Sequence, residues 1–237
     1  MSAVERALHL LGRGDGDFRL QEAAWVARCV GRGESAPLAP EDVSALAATL
    51  HRRTVPRGAV AYGDGRTRPS VWIVRSGRLE LLAGSGARRV VVQILHDGDV
   101  DGDIQLLLDM PLPYTARALD DVELLHLERE DFERLLATRP PIARRWLSSV
   151  AQRLNTSHMR IIGLLGRSLV QQAAQLLLDE ESEQGVALPQ RTLAAMLGVR
   201  RPSLNKVLKE LEKDGLIALR YSAIDIVDRA ALARRAG

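Results

Sequence analysis

The sequence predicts an α+β fold in which a β-roll precedes a long helix and a C-terminal winged helix-turn-helix. Three observations predict it. Between residues 55 and 127, short β-branched runs alternate with Gly and Asp; after Pro140-Pro141, apolar residues recur three and four apart; beyond residue 188, two helical patterns flank Gly198. A chain of 237 residues is long enough for two domains that each bury a core.

The N-terminal half is predicted to hold a strand-rich domain behind an extension. Residues 1–40 are interpreted as an extension and linker, because a short helix around Leu20, Ala24 and Ala27 precedes a Gly-Ser-Pro stretch. Residues 41–138 are predicted to form the β-roll, entered through a helix over 41–51, although the strand spacing alone fits a sandwich as well as a roll. Strands are expected at 71–74, 78–82, 89–95 and 122–127, and a short helix at 131–138.

Residues 139–166 are predicted to form a dimerisation helix. A seam of apolar residues on an otherwise basic, polar helix favours a two-stranded coiled coil, and the alternative is packing against the chain's own roll. The predicted seam residues are Leu147, Val150, Leu154, Ile161 and Leu164.

Residues 167–237 carry the most specific pattern of the chain. Leu193, Met196 and Leu197 form one apolar stripe, and Gly198 permits the sharp turn that follows. Pro202 suits the first turn of the next helix because its missing N–H has no intrahelical partner there. Two short strands are predicted after Gly215, and they would form the wing of the motif. This is the pattern of a winged helix-turn-helix that reads the DNA major groove.

The second helix of this motif is predicted to face DNA. Four basic residues and no acidic residue occur from Arg200 to Lys209, which suits phosphate, whereas a solvated helical hairpin is the bland alternative. A helix that docks on protein would not need a face so free of acids. The predicted DNA-binding residues are Arg200, Arg201, Ser203, Asn205, Lys206 and Lys209.

Composition excludes several other classes of protein. The net charge is only +3, but five arginines and no acid lie between residues 140 and 170, while residues 97–133 hold twelve acids. The single cysteine, Cys29, excludes an internal disulfide, and no apolar run suggests a membrane span, so we expect a cytoplasmic protein with no membrane partner. Sequence motifs of nucleophilic or phosphate-binding enzymes are missing, so no enzymatic activity is expected.

No metal site is predicted. The run DGDVDGD over residues 97–103 matches the first half of a calcium loop, but Leu108 stands where a bidentate glutamate is required. We therefore interpret the run as a solvated β-turn. The five histidines show no close ligand spacing, which leaves haem ligation through one isolated histidine as an alternative. No cofactor is expected.

The order of these elements resembles the Crp/Fnr family of bacterial transcription regulators over roughly Glu41 to Val227. The resemblance implies a homodimer with a cyclic-nucleotide-binding-like roll that senses an effector, and double-stranded DNA with a palindromic operator as partner. RNA polymerase is a further expected partner if the protein activates transcription. The residues that carry the resemblance are 72–82 in the roll, Gly98-Asp99 and Gly102-Asp103-Ile104 at its corner, 151–154 in the long helix, 174–178 after it, and the helix-turn-helix.

The resemblance also implies an effector pocket and shows two departures there. Relatives that bind cyclic AMP use a glutamate for the ribose and an Arg-Ser pair for the phosphate; those places fall at Asp103 and at Tyr114-Thr115. A phenol cannot supply the charge-assisted fork of an arginine, so we expect an effector other than cyclic AMP, or none. The expected pocket residues are Gly102, Asp103, Ile104, Tyr114, Thr115, Ser157 and His158.

Two alternatives stay open. One is a cyclic-nucleotide-dependent regulator with an altered phosphate site, and the other is a ligand-sensing or protein-interaction module that does not bind DNA. The resemblance also indicates that Pro202 displaces the family's usual recognition glutamate, so the family's common operator does not carry over.

Overall fold

The computed structural model describes residues 15–31, 36–65, 67–84, 90–182, 185–221 and 223–237. Arg89, at the start of one predicted strand, and the side chain of Leu164, in the predicted seam, lie outside the described part. The chain divides into two compact units, one comprising residues 1–82 with 94–155 and the other residues 83–93 with 156–237. None of the helices in the described ranges combines the length and apolarity needed to cross a lipid bilayer.

The roll consists of eight strands. They are β1 His51–Val55, β2 Val60–Tyr62, β3 Ser70–Ser76, β4 Leu79–Ala83, β5 Val90–Leu95, β6 Val100–Asp101, β7 Thr115–Ala118 and β8 Val122–Glu128. They form two four-stranded sheets, in the orders β1-β8-β3-β6 and β2-β7-β4-β5. In the first sheet β3 and β8 pair antiparallel, with Ile73 opposite Leu125. The roll belongs to the first unit, except for the end of β4 and most of β5, which fall in residues 83–93 of the second.

Strand β3 explains why the roll has two hydrophobic clusters. Successive side chains of a strand point to opposite faces. Trp72 and Val74 pack with residues of both sheets inside the roll, whereas Val71 and Ile73 pack outward against helices. Both faces of β3 are therefore buried, and its sequence reads as a continuous apolar run rather than an alternating one.

Helices cover the outer face of the β3 sheet. They are α1 Asp15–Cys29, α2 Pro40–Thr49, α3 Asp103–Leu107, α4 Arg129–Thr138 and α5 Pro140–Leu165, of which α5 continues into the second unit. Ala23 and Val26 of α1 are fully buried in the same cluster as Phe132 and Trp146. The predicted extension 1–40 thus contributes a helix to the core of the roll. Its small alanines pack closely but give a weak apolar signal in the sequence.

The second unit has a helical core and a small sheet. Its elements are α6 Leu169–Asp179, α7 Gln190–Met196, α8 Arg201–Lys213, β9 Ile217–Leu219, β10 Ile224–Ile226 and α9 Arg229–Ala236. Ser168 caps α6 through a capping box with Gln171. The unit's division from the roll falls inside α5, between residues 155 and 156, whereas the predicted boundary followed residue 166.

Candidate nucleic-acid interface and effector cassette

Helices α7 and α8 form the helix-turn-helix. Gly198 adopts a left-handed φ of +65°, which an L side chain rarely adopts, and the chain turns there between the two helices. Pro202 lies in the first turn of α8. Leu204, Leu208 and Leu211 are buried on the inner face of α8. The leucine spacing that predicted this helix therefore also determines which of its faces is buried.

The predicted DNA-binding residues lie on α8 and at its N-cap, outside the row of buried leucines. Arg200, Arg201, Ser203, Lys206 and Lys209 are exposed, and Asn205 is half-buried. The structure brings all six together on one helix and its N-terminal flank. These residues include four basic side chains, and a cluster of positive charge on an exposed helix surface is suited to DNA phosphates and base edges.

The wing follows α8 directly. Strands β9 and β10 pair antiparallel, with Ile217 opposite Ile226 and Leu219 opposite Ile224. Tyr221 is fully exposed at the tip of this hairpin. The two-stranded wing predicted from the sequence is therefore present after the second helix of the motif.

The segment from Gly98 to Thr115, called the cassette below, contains the predicted effector residues of the roll. Gly102 has a left-handed φ of +81°, and a Cβ there would lie 2.5 Å from the backbone oxygen of Ser70. Only glycine allows so close an approach of the cassette to β3. The next residue, Asp103, is completely buried.

Two side chains of α5 bind the Asp103 carboxylate. The indole Nε1 of Trp146 donates a hydrogen bond to Oδ2 at 2.7 Å. The guanidinium of Arg153 forms an ion pair with the same carboxylate and donates from Nη1 to Oδ1 at 3.1 Å. Arg153 also donates to the backbone oxygen of Val100 at 2.8 Å. The charge of Asp103 is thus compensated within the chain.

Tyr114 is bound to a second buried carboxylate of the cassette. Its hydroxyl donates to Oδ1 of Asp101 at 2.6 Å, and the hydroxyl of Tyr62 donates to Oδ2 at 2.8 Å. Burial raises the pKa of Asp101, while the hydrogen bonds from Tyr114 and Tyr62 oppose that shift. Burial also raises the pKa of Tyr114, so its hydroxyl stays protonated and able to donate.

The interpretation of residues 97–103 as a solvated turn is wrong for Asp101 and Asp103. Both carboxylates are buried, and both have internal hydrogen-bond donors. No local sequence pattern indicates this, because the donors come from positions 13 to 50 residues away along the chain. Within the described ranges, no group of three or more His, Cys, Asp or Glu side chains is arranged to hold a metal ion.

The remaining predicted pocket residues have different surroundings. Ile104 is 37% exposed, and the Thr115 hydroxyl donates to the backbone oxygen of Gly63 at 3.4 Å. Ser157 and His158 are exposed on α5, in the part of that helix that belongs to the second unit. Arg117, the nearby arginine on β7, forms an ion pair with the buried Glu80.

The predicted seam of α5 is mostly open in the single chain. Leu147 is 70% exposed, Leu154 56% and Ile161 51%. Val150 differs, because it is half-buried against the helical cluster of its own roll. Three of the five predicted seam residues therefore leave large apolar side chains uncovered on one long helix, which is unusual for a helix with no partner.

The chain combines a roll that ends in a long helix with a winged helix-turn-helix whose second helix, α8, has a basic surface. This combination defines a DNA-binding transcription regulator. Helix α8 is called the reading helix below. The family model of the cyclic nucleotide-binding domain matches residues 52–139, and that of the Crp-like helix-turn-helix domain matches residues 167–235.

Known proteins agree with this class. The chain is 57% identical over 225 residues to the HTH-type transcriptional regulator Cmr of Mycobacterium tuberculosis, covering 95% of this chain and 92% of that protein. It is 27% identical to the cyclic AMP receptor protein of Thermus thermophilus, over 82% of this chain and 92% of the relative. The structure of FixK2 from Bradyrhizobium japonicum shares the fold with a TM-score of 0.69 at 19% identity, covering 79% of this chain and 98% of that one. The chain belongs to the Crp/Fnr family of transcription regulators.

Proposed function

We propose that the protein is a homodimer that binds a palindromic operator, with α8 of each protomer in one of two successive major grooves about 34 Å apart. The observation that carries this proposal is the exposed, acid-free face of α8 from Arg200 to Lys209. Arg201, Ser203, Asn205 and Lys206 lie towards the N-terminal half of α8 and contact bases. Arg200 and Lys209 contact phosphates.

The uncovered apolar side chains of α5 support the homodimer. Leu147, Leu154 and Ile161 are each more than half exposed in the single chain and recur at a heptad spacing. Pairing of two such helices removes these side chains from water. Complete burial of an exposed leucine or isoleucine contributes about 1.5–3 kcal/mol, and these residues, which are 51–70% exposed before pairing, contribute roughly half of that each. The dimer then presents two reading helices to the two halves of the operator.

The contacts inside the cassette support an effector other than a cyclic nucleotide, or none. A cyclic phosphate needs a fixed positive partner, and Tyr114 stands where relatives that bind cyclic AMP have an arginine. The Tyr114 hydroxyl is bound to Asp101, and Arg153 is bound to Asp103. Arg117 is bound to Glu80. A nucleotide that enters this region displaces internal hydrogen bonds without gaining a free guanidinium from any of these residues.

The proposed role has three further consequences. The protein acts in the cytoplasm, has no catalytic activity of its own, and contacts RNA polymerase if it activates its promoters.

Selection of bound fragments from random DNA tests the proposed reading helix. We expect a palindromic site to emerge, and Arg201→Ala to weaken binding to it by about 1–3 kcal/mol and to relax one base pair per half-site. Lys209→Ala should weaken binding to all sequences and flatten the salt dependence. The matched control is Arg68→Ala, which removes the same charge from a largely exposed site on the roll. Wild-type affinity of Arg201→Ala for the selected site contradicts the assignment.

Light scattering tests the proposed dimer. The variant Leu154→Asp/Ile161→Asp places two charges in the seam, where an unpaired buried charge is costly, and we expect it to be monomeric and to lose operator binding. The control variant is Leu107→Asp/Leu108→Asp, which places the same charges at similarly exposed leucines of the cassette. A dimer that persists in the α5 variant refutes the seam.

A further inference from the structure

The reading helix α8 carries two acidic residues, and both are bound by other elements of the second unit. An oxygen of Glu212 accepts a hydrogen bond from the backbone N–H of Leu219 in the wing at 3.0 Å. An oxygen of Glu210 accepts from Nη2 of Arg235 in α9 at 2.7 Å. The C-terminal helix α9 thus reaches the helix that is proposed to read DNA, although the sequence pattern gave it no role.

Helix α9 is anchored well enough to hold Arg235 in this place. Asp228 caps its N-terminus by accepting from the backbone N–H of Ala231 at 2.8 Å. Leu232 is fully buried and Ala236 is 2% exposed, so both ends of the apolar face of α9 are packed against the unit. The ion pair itself is surface-exposed, with side chains 45% and 43% accessible, so its contribution to stability is small.

The position of Glu210 makes the ion pair important for another reason. Glu210 follows Lys206 by four residues, and side chains at this spacing are neighbours on a helix surface. Without Arg235, Glu210 is free to pair with Lys206 or with Lys213, which lies three residues further along α8. A pair with Lys206 withdraws that lysine from DNA and places a negative charge near the incoming phosphates.

We propose that Arg235 is a positioning residue for DNA binding, which occupies Glu210 and so leaves Lys206 available to the operator. This inference rests on the proposed role of α8 as the reading helix. The partner chemistry is that of the DNA phosphates and base edges, and Arg235 acts on it through Glu210 rather than by touching DNA.

Operator binding by the full chain tests the proposal. We expect Arg235→Gln to weaken binding about fivefold, a change of the size that one exposed charge pair produces. Glu210→Gln in the same chain should restore wild-type affinity, because no carboxylate then competes for Lys206. The loss in Arg235→Gln should shrink at high salt, since screening weakens an exposed Glu210–Lys206 pair. Arg234→Gln, the adjacent exposed arginine of α9, is the matched control for net charge and should bind at least threefold tighter than Arg235→Gln.

Three outcomes overturn the proposal. The first is wild-type binding by Arg235→Gln, and the second is an equal loss in Arg234→Gln, which makes the effect one of net charge. The third is a double variant that stays weak, which gives α9 a merely structural role. Lys206→Ala separates this inference from the proposed function. If Lys206→Ala binds normally, the proposed reading face is wrong; if it binds weakly while Arg235→Gln binds normally, only the role of Arg235 is wrong.

Discussion

Removal of Arg153 leaves a buried carboxylate without its cation. The Asp103 side chain is 0% exposed, and that of Arg153 is 29% exposed. Loss of one partner of a buried ion pair typically costs about 3–5 kcal/mol, because the remaining charge stays desolvated. Trp146 still donates its hydrogen bond, and the partial exposure of Arg153 lets water approach. We therefore expect Arg153→Met to destabilise the roll by about 3 kcal/mol, at the lower end of that range.

Urea unfolding followed by tryptophan fluorescence measures this loss. All three tryptophans of the sequence, Trp25, Trp72 and Trp146, belong to the first unit, so the signal reports the roll alone. The control Arg144→Met removes an exposed arginine from an earlier part of the same helix, α5. It should change stability by less than about 0.5 kcal/mol.

A double variant separates the buried charge from the lost packing. Asp103→Asn in the Arg153→Met chain removes the uncompensated charge, and we expect it to recover at least half of the lost stability. A loss below about 1 kcal/mol in Arg153→Met, or a double variant no more stable than the single one, refutes the reasoning.

The remaining predictions concern the cassette and the roll. Calorimetry should detect no micromolar binding of cyclic AMP or cyclic GMP; a saturable heat restores the cyclic-nucleotide alternative. Tyr114→Phe removes one donor from the buried Asp101 carboxylate and should lower the free energy of unfolding by about 1–3 kcal/mol, and unchanged urea unfolding contradicts the contact. Burial lowers the pKa of His126, and the electrostatic effects of His51 and Arg53 lower it further to a smaller extent. The contribution of His126 to stability is therefore complete above about pH 6.5 and is lost as the pH falls below that value. The drop in unfolding midpoint between about pH 7.5 and 5.5 should be smaller in His126→Gln, and an equal drop in both proteins argues against this source.

The sequence was most informative where local patterns decide the structure. Gly198, Pro202 and the buried leucines of α8 occur within 15 residues of each other, and each has a conformational preference that needs no distant partner. The reading helix and its exposed face could therefore be predicted. Strands β3, β4, β5 and β8 of the roll were also predicted, because β-branched runs between glycines indicate strands without reference to the rest of the chain. The other four strands, β1, β2, β6 and β7, were not predicted.

Long-range contacts were not predictable in this way. The partners of Asp101 and Asp103 lie on β2, immediately before β7 and on α5, and only the folded roll brings them to one place. Helix α1 was underestimated because alanines supply much of its buried surface. Helix α9 was missed because it is short and rich in arginine, although Asp228 at its N-cap was a readable signal.

The exposed face of α8 also bears on how such a regulator changes its targets over evolution. In the described part of the chain, the side chains of Arg201, Ser203, Lys206 and Lys209 form no hydrogen bond or ion pair with the rest of the second unit. The leucines beneath them hold the helix in place. Exchanges on this face therefore cost little stability, so new operator preferences can arise by single substitutions while the fold is preserved.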